Sequence, residues 1–132
     1  MGSTARLRII QVTDCYTLVN FPSLKTLIQQ KRAEAAEMGG TTISLLTGDF
    51  LAPYLLSSFD KGQGMMSMLN KTPIDYLTWG NHEHDLDHAD VMKREKEYKG
   101  VWVNSNMQSH ESFKDSTSQV QHGTGGHTPK LG

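Results

Sequence analysis

A single cysteine, Cys15, stands among the 132 residues, so no disulfide framework can form within the chain, and a lone thiol fits a reducing compartment. Long apolar runs are also missing. Nothing approaches the roughly 18 consecutive apolar residues of a membrane span, and the opening MGSTARLR has no apolar h-region. The expectation is a soluble, cytoplasmic chain with no membrane partner. An excess of either charge is absent too. Thirteen Lys and Arg balance fourteen Asp and Glu for a net charge of −1, which gives no footprint for nucleic acid. The densest charged run, KREKEYK at 93–99, reads as the solvated face of a helix.

Several catalytic signatures are absent as well. There is no Walker A sequence. GQGMMS places Ser67 where a dinucleotide-binding loop needs its third glycine. A cysteine-phosphatase loop starting at Cys15 would need Arg six residues on, where Phe21 stands, and an Asp-nucleophile phosphatase would need Asp at position 16, which is Tyr.

What is present is an alternation of apolar runs and helical spacing. Leu7 to Thr13 reads as a strand rich in Ile and Val. Pro22 suits the first turn of a helix, and Leu24, Leu27, Ile28, Ala35 and Met38 recur at helical spacing until Gly39-Gly40. Thr41 to Thr47 reads as a second strand. Residues 51–70 hold a loop and one or two short helices, with Met65, Met66, Met68 and Leu69 as core filler. Ile74 to Trp79 is a third strand, Asp87 to Lys99 a charged helix, and Val101 to Asn104 a fourth strand. This order implies an α/β fold, a parallel sheet with right-handed crossover helices. Residues 1–107 form the domain. From 108 to 132 Ser, Thr, Gly and Gln dominate without period, and the segment reads as a disordered polar tail.

The strands end on polar residues suited to chemistry. LRIIQVTD stops at Asp14, TTISLLTGD at Gly48-Asp49, and IDYLTWGNHEHD at Asn81, His82, Glu83 and Asp85. Parallel strands put all their C-terminal ends on one edge, so residues far apart in sequence can converge there. Asn81 offers a neutral oxygen ligand, His82 a proton near neutral pH, and Asp85 can orient the imidazole. Glu83 is expected to fix its loop through hydrogen bonds. His84 and His88, four apart, are expected as partly exposed helix residues, and His110, His122 and His127 fall in the polar tail. Asn104 and Asn106, after the fourth strand, would share the same rim.

The ordered Asp, then GD, then GNHE, each after a strand, resembles the calcineurin-like metallophosphoesterases over residues 7–106, and GNHEHD with LTGDFLAPYLLSSFDKGQGMMSMLN upstream is most similar to the 5′-nucleotidase-like branch. The resemblance implies the first half of an αββα sandwich and two divalent metal ions (Zn, Mn, Fe or similar) that clamp the phosphate of a small phosphomonoester such as a nucleotide. It assigns Asp14 to the first metal, Asp49 to the bridge, Asn81 to the second metal, His82 to transition-state stabilisation and the leaving group, and Asp85 to orienting His82. The family's first motif is Asp-x-His, and Tyr16 occupies the histidine position. A phenol must lose a proton of pKa near 10 to ligate strongly, so Tyr16 is a candidate ligand whose expected role is stacking.

The family's later histidine and its Gly-His-x-His motif do not occur in these 132 residues. GGHTPK has Thr128-Pro129 after His127. Weakened metal binding and slight or no turnover follow, and the alternative is a non-catalytic remnant that acts as an interaction fragment. LRIIQV and TISLLT carry bulky apolar residues at both odd and even positions, so both faces of the sheet call for burial. With no strands for a second sheet, one face should stay bare and favour self-association.

Overall fold

The computed structural model describes residues 4–103 and the pair Gln119–Val120. Its elements run β1 (Leu7–Val12), α1 (Phe21–Glu37), β2 (Thr41–Thr47), α2 (Ser57–Asp60), α3 (Gln63–Leu69), β3 (Tyr76–Thr78), a 3-10 turn (His82–Asp85), α4 (His88–Glu97), β4 (Val101–Val103) and β5 (Gln119–Val120). β1 to β4 make a parallel sheet in the order β1-β2-β3-β4, registered Leu7 to Thr41, Leu45 to Tyr76 and Tyr76 to Val101. β5 continues it in parallel beyond β4. Those two residues lie within the stretch read as a polar tail. The rest of 108–132, with Asn104, Asn106 and the three tail histidines, lies outside the described residues.

Strand order decides which face is covered. When each right-handed crossover steps to the next strand in the same direction, every crossover falls on the same side of the sheet. The core accordingly gathers on one side. Leu46, Leu77 and Trp102, which pair with one another in register, pack with Phe21, Ile28, Met65, Met66 and Leu69 from the helices. The alternate positions, on the other face, carry Leu7, Ile9, Ile43, Leu45, Tyr76, Val101 and Val103. Of these, Leu7 is 62% and Ile9 54% exposed, and the others are half-buried. Among the described residues the apolar side chains mainly exposed on this face are thus Leu7 and Ile9, and the rest of the face is partly covered rather than bare.

β3 is shorter than the apolar run that encodes it because side chains take over at both ends. Asp75 Oδ2 accepts the Ser44 N–H at 2.7 Å while Oδ1 accepts from Arg32 at 2.7 Å. At the other end Gly80 N–H turns to the Glu83 carboxylate at 2.7 Å.

The charged run 93–99 departs from its reading as a solvated face. Lys93, Lys96 and Lys99 are exposed, but Arg94 and Glu95 are 2% and 1% exposed. Helical period is the cause: Val91, Arg94, Glu95 and Tyr98 fall three, four and seven residues apart on one stripe, and that stripe faces the core. The Arg94 stem lies along Gly62 and its Nη2 reaches Glu97 Oε1 at 3.0 Å. No helix among the described residues is long and apolar enough to cross a membrane.

Candidate active site at the C-terminal edge of the sheet

Asp14 follows β1 by two residues, Asp49 follows β2 by two, and Asn81 follows β3 by three, so parallel pairing puts all three at one edge. Hydrogen bonds draw the loops together. Asp14 N–H donates to the Gly48 carbonyl at 3.3 Å, and His82 N–H donates to Asp49 Oδ1 at 2.9 Å. The Tyr16 and His82 rings meet in a T-shaped contact, with centroids 6.1 Å apart and planes at 89°. A cavity of about 150 Å³ lined by Arg6, Arg8, Met38 and Gly40 lies at the opposite end of the strands and contains none of the motif residues.

Both carboxylate residues are strained. Asp14 and Asp49 have φ of 54° and 57°, in the left-handed region that non-glycine residues seldom occupy. Each costs on the order of 1–3 kcal/mol and persists only where the surroundings over-determine it. Spacing in the sequence gives no sign of this strain. Here it aims two carboxylates at the same edge.

The loops also touch backbone to backbone. Gly48 has φ +84°, and a Cβ there would sit 2.6 Å from Gly80 Cα. A Cβ on Gly80 would sit 2.6 Å from Asp49 N. The glycines of GD and GN are thus required by each other: neither loop could bear a side chain and still make this approach.

Glu83 fastens the junction. Its side chain is fully buried, and its two oxygens accept four backbone N–H groups. Oε1 takes Phe50 at 2.8 Å and Leu51 at 3.0 Å. Oε2 takes Asp49 at 3.0 Å and Gly80 at 2.7 Å. The loop-fixing role read from the sequence is what the geometry shows.

His82 Nδ1 lies 2.6 Å from Asp85 Oδ2, the pairing read from the sequence. That hydrogen bond, reinforced by the charges of Asp85, Asp49 and Glu83, raises the His82 pKa above its ordinary value. The sign follows from linkage: the stabilisation is fully present below the unfolded value near 6.5 and is lost as pH rises through the higher folded value. Asp85→Asn should therefore move the His82 ring titration, followed by proton NMR, downward toward 6.5. An unmoved midpoint would remove Asp85 as its orienting partner.

Tyr16 is bonded to the first of the two carboxylates. Its hydroxyl donates to Asp14 Oδ1 at 3.1 Å, and Thr13 Oγ1 donates to Asp14 Oδ2 at 2.7 Å. Partial removal from water, the bond to Asp14, and the carboxylates of Asp14, Asp49 and Glu83 push the phenol up to about 12. At neutral pH it is a protonated donor that occupies one oxygen of Asp14. Cys15 is likewise held as a thiol, raised by burial and by Asp14. Asn81 caps the 3-10 turn and is exposed. His84 stacks on Trp79 at 6.0 Å, and His88 opens α4, so the two exposed histidines belong to different elements rather than one helical face.

A family model described as calcineurin-like phosphoesterase matches residues 7–128. The chain belongs to the calcineurin-like phosphoesterases. No curated protein matches it. The chemistry of this family is metal-dependent hydrolysis of phosphoesters, generally with divalent metals, so the edge must be tested for ligands. Asp14, Asp49 and the Asn81 amide are oxygen donors of the right kind for a divalent cation. They are too few. Among the described residues no three His, Cys, Asp or Glu side chains gather in a group able to hold a metal ion. This donor set does not by itself complete a metal site.

Proposed function

We propose that this chain carries part of a 5′-nucleotidase-like phosphomonoester hydrolase and that it is weak or inactive with the ligands it has. The observation that carries the reading is the meeting of Asp14, Asp49 and the His82–Asp85 pair at one strand edge, held by bonds between the Asp-, GD- and GNHE-bearing loops. GNHEHD supports the nucleotidase-like branch and a nucleotide as the phosphomonoester.

In this reading His82, held by Asp85, gives its proton to the leaving oxygen, and the hydrogen bond to Asp85 favours the protonated ring. Asp14, Asp49 and Asn81 are the residues that would face divalent cations, which supply positive charge to the phosphate when bound.

Two observations favour the alternative of a non-catalytic remnant. Among the described residues no group of three ligating side chains gathers, and the Tyr16 hydroxyl donates to Asp14. Catalytic zinc usually takes about three protein ligands plus water, more than either metal would find here.

Calorimetric titration of the full chain with zinc and manganese, beside turnover of a chromogenic phosphomonoester, should therefore give weak binding and little or no product. Tyr16→His puts an imidazole beside Asp14 in place of the capping phenol. One further strong ligand should tighten the first metal by tenfold or more, about 1.4 kcal/mol. Tight binding and robust turnover by the unmodified chain would overturn the account of missing ligands.

A further inference from the structure

We infer that Glu83 is a positioning residue of the proposed phosphoester site, a buried carboxylate that holds Asp49 and His82 in register without touching substrate. The inference rests on the reading above for what the site does, but the clamp stands on geometry alone.

The two oxygens of Glu83 act differently. Oε1 gathers Phe50 and Leu51, neighbours within the loop after β2. Oε2 joins Asp49 to Gly80 and so links the loop after β2 to the loop after β3. Asp49, fixed through its own N–H, then accepts the His82 N–H on Oδ1. A chain of bonds thus runs from the Glu83 carboxylate through the Asp49 backbone and side chain to His82. Asp49 also needs such a clamp because its φ of 57° is left-handed and unfavourable for an aspartate.

These four donors need an acceptor at both side-chain oxygens. A carboxylate accepts on both oxygens, whereas a carboxamide has one acceptor and turns an NH₂ toward the remaining N–H groups. Glu83→Gln keeps the volume and must release one oxygen's pair, either Phe50 with Leu51 or Asp49 with Gly80.

The test is amide NMR on the full chain. In the wild type, couplings across the hydrogen bonds should connect the Glu83 side-chain carboxyl carbon to the amide nitrogens of Asp49, Phe50, Leu51 and Gly80. Their absence overturns the clamp, and this arm needs no variant to fold. In Glu83→Gln, one of the two pairs should exchange its amide hydrogens about ten- to a hundred-fold faster, the range that a lost bond to a charged acceptor implies.

His82 N–H, which makes no bond to Glu83, distinguishes positioning from local support. It should also speed if Glu83 places Asp49. Unchanged His82 exchange, in a variant whose β2 amides remain protected and whose Asp49 and Gly80 pair has been released, overturns the positioning role. These readouts are independent of turnover, so a chain that hydrolyses nothing would count against the proposed function while leaving the clamp to its own test.

Discussion

Leu7→Lys with Ile9→Lys should lower concentration-dependent self-association while leaving the thermal transition nearly unchanged. Both side chains are already largely in water, so the substitutions remove little packing, and both stand on the face left without helices. They also place like charges opposite each other in any copy-to-copy contact and on the free edge of β1, where Lys blocks strand pairing. Four strands at ~4.8 Å spacing, with six or seven residues at ~3.3 Å in β1 and β2, give at most about 400 Å² in plan. A standard interface uses roughly 800 Å² per partner. Association through this face should therefore be weak and concentration-dependent. Light scattering over a dilution series measures it. An unmodified chain that stays monomeric up to the highest soluble concentration would show that the face needs no partner.

Gly48→Ala should destabilise the fold by roughly 2–5 kcal/mol, the sum of about 1–2 for a left-handed non-glycine residue and about 1–3 for overpacking. The clash is with backbone, Gly80 Cα at 2.6 Å, so no side chain can swing aside. Gly39→Ala is the control. Gly39 has φ +64° and nothing within 4 Å of an added Cβ, so only the backbone strain applies. Denaturant midpoints of the two variants separate strain from collision. Domains of this size are stable by about 5–15 kcal/mol, so Gly48→Ala alone could remove much of the margin. Equal losses in the two variants would mean that the loops part easily and that their contact is not what requires glycine.

Much of this was legible in the sequence because the signals are local. Alternating apolar runs specify strands wherever they are buried. Leu24, Ile28 and Ala35 mark one helical stripe, and Gly-Asp or Gly-Asn after a strand marks a polar loop end. Parallel order then carries Asp14, Asp49 and Asn81 to one edge without any further information. His82 and Asp85, three residues apart, needed only a single helical turn to meet.

Other features depended on what packs against what. Arg94 and Glu95 read as solvated because charge is a property of the residue, while burial is a property of the stripe shared with Val91 and Tyr98. Residue type alone leaves Tyr16 open as ligand, stacking ring or hydrogen-bond donor, whereas its bond to Asp14 and its perpendicular ring contact with His82 come from the fold.

The sequence by itself determined the strand-helix alternation, the chemistry at each strand end and the pairing of His82 with Asp85, since all of these follow from residue type and short-range spacing. Only the tertiary structure decided that Gly48 and Gly80 meet, that Glu83 gathers four N–H groups from two loops, that Asp14 and Asp49 are held at positive φ, and that the core gathers on one side of the sheet. The physical reason is that these depend on the separation of loops more than thirty residues apart and on the direction in which successive crossovers step, neither of which a local pattern of side chains encodes.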